Sequence, residues 1–244
     1  TRALLEQHGD SLSAILVETM QGAGGCIPGD ANFLALLREQ ATQHGAILIF
    51  DEVMTSRLGP TGRQGALGIT PDMTTLGKYI GGGMTAGAFG GRADIMARYD
   101  PREKGHFVHH GTFNNNVLTL AGGAAGLEKV YTPEAATALT ASGEAFRQRL
   151  NALGQKHGLP FQAAGSGSLM NIHFIDGEIR SHHDLAGRNL MALDLFHLEM
   201  IAAGIYITRR GYMALSLALT EDDHDEFVAE ADKFLSAYGE LIST

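Results

Sequence analysis

The chain has 244 residues, a formal net charge of −9 and 32 glycines, with 44% hydrophobic and 18% charged residues. That balance describes a globular protein of one large or two modest domains, excludes a mainly disordered chain and offers no basic field for nucleic acid. No uncharged apolar run reaches the roughly 18 residues a membrane helix needs, and a single cysteine, Cys26, rules out an internal disulfide and fits a reducing, cytoplasmic compartment.

Residues 14–17 (Ala-Ile-Leu-Val) read as a buried strand. Asp30 is a helix cap, and the helix it starts runs to about His44 with Leu34, Leu37 and Ala41 on its apolar face and Gly45 at its end. Residues 46–50 follow as an apolar strand without alternation, the type found in parallel sheets covered on both faces. Strand, helix and strand form a βαβ unit. Short strands are expected at 73–76 and 86–89, a short helix at 92–99 and an exposed loop at 100–112. A helix spans about 116–130. Thr132-Pro133-Glu134 starts another, with Phe146, Leu150 and Leu153 inward and an end near Gly158. Beyond it, 169–175, 205–207 and 213–217 are strand-like, and 188–203 is a helix ended by Gly204. Thr220 caps a last helix that buries Phe227, Ala231, Phe234, Tyr238 and Leu241. The expected organisation is an α/β domain over 1–125 and a smaller α+β domain over 126–244.

The chemistry concentrates between Leu48 and Gly91. Asp51 ends an apolar strand, where open parallel sheets place their ligand chemistry. Lys78 follows the next strand in apolar surroundings, and Gly81-Gly82-Gly83 comes after it. A desolvated lysine amine is a nucleophile suited to carbonyl chemistry, and glycines allow close backbone approach to a cofactor. An acid and a lysine at strand ends suit pyridoxal phosphate, whose ring is an electron sink. Either residue alone reads more simply, Asp51 as a turn cap and Lys78 as a solvated cation. Gly81-x-Gly83-x-x-Ala86 matches a dinucleotide fingerprint on paper but lacks the following helix. A phosphate-binding Walker loop fails at Asp72 and Tyr79. His109-His110 and His182-His183-Asp184 lack the spacing of a metal site, so no metal is expected.

Residues 48–57 (LIFDEVMTSR), 75–84 (TLGKYIGGGM) and 87–91 (GAFGG) together resemble the class III aminotransferases, in the branch holding glutamate-1-semialdehyde aminomutase and the β-amino-acid aminotransferases. The resemblance covers essentially the whole chain. It implies the C-terminal part of a pyridoxal-phosphate-dependent transferase fold, a mostly parallel sheet with helices on both faces followed by the small domain. It implies that Lys78 holds pyridoxal 5'-phosphate as a Schiff base and shuttles a proton. Asp51 would pair with the pyridinium nitrogen and Val53 would flank the ring. Thr112 would bind the cofactor phosphate of the neighbouring subunit in a homodimer with a shared active site. The alternative for Thr112 is a helix cap. The family usually has proline after Glu18, where this chain has Thr19.

Residues 205–212 (IYITRRGY) resemble the stretch of β-phenylalanine-type aminotransferases in which an arginine meets a substrate carboxylate, and Arg210 is the match. The alternative is a solvated Arg209–Arg210 pair. The resemblance thus implies transfer of an amino group from a β-amino acid to a 2-oxo acid, with glutamate-1-semialdehyde 2,1-aminomutase as the second reading. Family members run to roughly 400 residues or more, so the chain reads as the back portion of a longer protein. By itself it is expected to be an inactive fragment, short of the N-terminal half.

Overall fold

A computed structural model describes residues 1–112 and 114–242. In chain order its elements are α1 (Arg2–His8), β1 (Ala14–Glu18), β2 (Met20–Gln21), β3 (Ile27–Pro28), α2 (Ala31–Gln43), β4 (Ile47–Asp51), α3 (Gly62–Leu67), β5 (Met73–Gly77), β6 (Gly87–Gly91), α4 (Ala93–Met96), α5 (Val117–Lys129), α6 (Pro133–His157), β7 (Phe161–Ser166), β8 (Leu169–Phe174), α7 (Leu190–Ala202), β9 (Tyr212–Ala214) and α8 (Glu221–Ile242). They fall into two compact units. One joins Thr1–Thr19 to Asp30–Ala136, and the other joins Met20–Gly29 to the chain from Thr137 onward.

The first unit is built on a four-stranded sheet in the order β1-β4-β5-β6. β1–β4 and β4–β5 are parallel, while β6 returns antiparallel to β5. The α/β reading with a mostly parallel sheet therefore holds. Helix α2 starts where Asp30 accepts a hydrogen bond from the Phe33 amide at 2.9 Å. Its face of Leu34, Leu37 and Ala41 packs on Leu48 and Phe50 of β4. Burying each large side chain stabilises by roughly 1.5–3 kcal/mol, more than helix propensity alone supplies over so short a helix. β1 departs from expectation. It pairs only with β4 among the described residues, and its Leu16 is 65% exposed. An apolar run shows strand propensity, but whether both flanks are paired depends on which other strands are present.

The β4–β5 register is held at its entry by Asp72. The Asp72 amide donates to the Leu48 carbonyl at 2.8 Å, and the Leu48 amide donates back to Asp72 Oδ2 at 2.8 Å. Arg38 and Arg92 also donate to this buried carboxylate, at 2.8 and 2.9 Å. Burial by itself would raise its pKa, but these hydrogen bonds, led by the Leu48 amide, hold it below the usual carboxylate range.

The second unit carries the antiparallel sheet β7-β8-β9 and the β2–β3 pair. β8 is buried along its whole length, and Phe161, Phe174, Phe196 and Phe234 meet edge to face beside it. His173 of β8 is fully buried, and its Nε2–H donates to the Gly25 carbonyl at 2.9 Å. Burial pushes this imidazole below its ordinary pKa, and the nearby Arg188 charge pushes the same way. Helix α8 begins in a reciprocal cap: Asp223 accepts from the Thr220 amide at 2.6 Å, and Thr220 Oγ1 accepts from the Asp223 amide at 3.3 Å.

Three further expectations change. Residues 205–207 are not a strand, because the Ile205 amide closes the end of α7 on Met200 and the Ile207 carbonyl accepts from His197. Leu241 is 64% exposed, and Ile242 is buried in its place. Strand β7 and helix α3 were not foreseen. β7 mixes small and polar residues, and α3 is six residues with two glycines.

Candidate active site

Asp51 is the last residue of β4 and Lys78 follows the last residue of β5. The strands are parallel, with Asp51 opposite Thr75, so both residues leave the same edge of the sheet. Asp51 is half-buried, and its Oδ1 accepts from the Val53 amide at 3.0 Å. Its other oxygen has no hydrogen-bond partner among the described residues. Val53 is half-buried against β5: a Cβ placed on Gly77 would lie 3.2 Å from Val53 Cγ1. The chain thus gathers Asp51, Val53 and Lys78 at one strand edge.

Lys78 opens a tight 3₁₀ turn, Lys78–Gly81, with a left-handed φ of +55°. Only three described non-glycine residues have positive φ, and such residues cluster at functional sites. Its side chain is exposed, so this chain does not itself provide the apolar surroundings expected for the amine.

The glycines after Lys78 also make a helix contact. A Cβ on Gly82 would stand 2.3 Å from the Gly122 backbone, and one on Gly123 would stand 2.2 Å from the Ile80 carbonyl oxygen. Gly81–Gly82 thus packs onto the glycine pair of α5.

Glu52, beside Asp51, was missed from sequence. It is fully buried, and its carboxylate caps α3 by accepting from the Arg63 and Gln64 amides at 2.8 and 2.7 Å. Desolvation raises its pKa in spite of these bonds. The cue was Gly62, whose left-handed φ of +69° leaves the space this carboxylate fills. Thr19, where the family usually has proline, is buried with its hydroxyl 3.0 Å from that of Thr55.

Thr112 is exposed in the segment before α5. It does not cap that helix; Asn116 does, accepting from the Leu118 and Thr119 amides. In the second unit the two neighbouring arginines separate. Arg209 is committed to Asp194 through two hydrogen bonds of 2.7 and 2.6 Å. Arg210 is exposed, stacks 5.2 Å over the Tyr212 ring and has no carboxylate partner among the described residues. The 182–184 stretch is a cap, in which Asp184 accepts from the Ser181 amide at 2.7 Å. No described helix is long and apolar enough to cross a membrane.

Comparison with known proteins follows from this geometry. A family model described as Aminotransferase class-III matches residues 1–235. The chain is 55% identical over 241 residues to a beta-phenylalanine transaminase of Variovorax paradoxus, covering 99% of this chain and 55% of that protein. It is 36% identical over 221 residues to a glutamate-1-semialdehyde 2,1-aminomutase of Bacillus thuringiensis, covering 90% of this chain and 51% of that one. The crystal structure of a beta-phenylalanine aminotransferase from Variovorax paradoxus superposes with a TM-score of 0.96 at 55% identity, over 98% of this chain and 56% of that chain. The chain spans about half the length of the relatives it matches.

Proposed function

The chain belongs to the class-III aminotransferase family, and from that premise we propose that the protein carrying it moves an amino group from a β-amino acid to a 2-oxo acid with pyridoxal 5'-phosphate. The observation that carries this reading is the common sheet edge of Asp51, Val53 and Lys78. The free oxygen of Asp51, the close approach of Val53 to Gly77 and the exposed amine of Lys78 fit that cofactor. Arg210, unpaired beside the committed Arg209, supports a carboxylate-bearing substrate. The 55% identity to a beta-phenylalanine transaminase favours a β-amino acid donor over the aminomutase reaction.

When bound, the cofactor supplies an electron sink for the pair released at the amino-bearing carbon. Lys78 would hold the cofactor covalently, and its amine, freed when the substrate amine takes its place, would carry the proton away from the amino-bearing substrate carbon in the 1,3-shift that leaves the amino group on the cofactor. Asp51 would accept a hydrogen bond from the ring nitrogen and keep it protonated, and Val53 would pack against the ring. Arg210 holds the substrate carboxylate through its two-pronged guanidinium. Thr112 would donate its hydroxyl to the cofactor phosphate of a neighbouring subunit, which would make the site shared in a homodimer. The large cofactor-binding domain expected over 1–125 corresponds to the first compact unit, which runs on to Ala136 and leaves Met20–Gly29 to the second, and the small domain expected over 126–244 to the rest. The compartment is the cytoplasm.

The test is to incubate the purified full-length protein that carries this chain with cofactor, β-phenylalanine and 2-oxoglutarate. Glutamate should form, and the visible band of the lysine-bound cofactor should vanish in Lys78→Ala. No glutamate, with turnover of glutamate-1-semialdehyde instead, would give the aminomutase reading.

A further inference from the structure

We infer that Gly122 and Gly123 of α5 are positioning residues for Lys78. The inference rests on the reading of Lys78 as the cofactor anchor. An unfavourable backbone such as that of Lys78 persists only where its surroundings hold it. Helix α5 and Tyr131, two residues beyond its end, hold this turn at three places. The Ile80 carbonyl lies against Gly123, Gly82 lies against Gly122, and the Tyr79 ring meets Tyr131 edge to face at 5.1 Å. Within the turn, the Gly82 amide donates to Tyr79 O and the Met84 amide donates to Gly81 O, both at 3.1 Å. The anchor is therefore seated against a helix that supplies no reacting group.

The size of the effect follows from the fit. Real Cβ atoms essentially never stand closer than 3.0 Å to such an atom, and a methyl on Gly123 would stand 2.2 Å from the Ile80 oxygen. The difference, 0.8 Å, must be absorbed by moving the turn or the helix. Ile80 is two residues from Lys78. A misplacement of about 1 Å at a reacting group costs on the order of 10²-fold in rate. Gly126 is the internal control. It lies on the same helix, but a methyl there meets only Gly82 Cα at 3.8 Å, an ordinary contact.

The experiment compares Gly123→Ala, Gly126→Ala and Lys78→Ala in the cofactor-loaded protein. It reads the absorption band of the lysine-bound cofactor, the pH midpoint at which that band titrates, and kcat and KM separately. The expected result is a shifted midpoint and a kcat lowered at least tenfold with little change in KM in Gly123→Ala, with Gly126→Ala like wild type. A purely structural role would lower the melting temperature of Gly123→Ala and leave its midpoint in place, and that result overturns the inference. If Gly123→Ala does not fold, Gly82→Ala disturbs the same contact from the turn side. An unshifted midpoint there overturns the inference too. A band that persists in Lys78→Ala refutes the anchor assignment and this inference with it. A band lost in Lys78→Ala but unmoved in Gly123→Ala refutes only the positioning.

Discussion

Asp72→Ala should loosen the strand pair from which Asp51 and Lys78 project. Asp72 is buried and its carboxylate is the partner of the Leu48 amide. Leaving a buried amide unsatisfied costs about 1–3 kcal/mol. The Arg38 ion pair adds about 1 kcal/mol, discounted because the Arg38 side chain is 25% exposed. Arg92 is open to water and is left out of the sum. The expected loss is about 2–4 kcal/mol for Asp72→Ala and about 1 kcal/mol for Asp72→Asn, which keeps an acceptor for Leu48. Urea unfolding reads the global loss, and amide exchange at Leu48 reads the local one. Because Asp72 titrates below its ordinary value of 3.8, its contribution is present above that pH and is lost as pH falls through the folded value. An Asp72→Ala variant within about 0.5 kcal/mol of wild type, the range of an ordinary surface change, would refute the reasoning.

Glu52 behaves in the opposite sense. Burial raises its folded pKa, so its contribution is largest below the ordinary carboxyl value of 4.5 and declines as pH rises. The stability of wild type minus that of Glu52→Gln should therefore fall between pH 4.5 and neutrality, and a rise would contradict the assignment. His173 is kept neutral, so its contribution is present above pH 6.5 and is lost as pH falls. A proton NMR titration should place its midpoint below 6.5, and a midpoint at or above that value would count against the buried geometry. Arg210→Ala should lower kcat/KM for a carboxylate substrate by about 10- to 100-fold, the loss of a charge-assisted contact. Arg209→Ala should leave it nearly unchanged, and equal losses would show that the two arginines share the task.

Where a segment's fate is decided by its own residues, the sequence is legible. The Leu34, Leu37 and Ala41 face, the Asp30 and Thr220 caps and the strand-end positions of Asp51 and Lys78 all follow from local pattern. What escaped depends on partners distant in the chain. Residues 14–17 carry the composition of an interior strand yet lie at an edge. Glu52 shows its role only when α3 is in place to be capped by it. The glycines of 81–83 suit a cofactor loop as well as a helix contact, and only the position of α5 distinguishes the two.

Strand β5 and strand β6 are joined by a short excursion that leaves at Gly77 and comes back opposite it at Gly87. Lys78 lies inside that excursion, so the hairpin brings it to the strand end, and α5 seats its turn there. Low contact order favours fast closure, and β5, the turn and β6 make a short loop with little closure entropy. The lysine's position along the sheet is therefore set by a local hairpin, while the fine seating of its turn waits for α5.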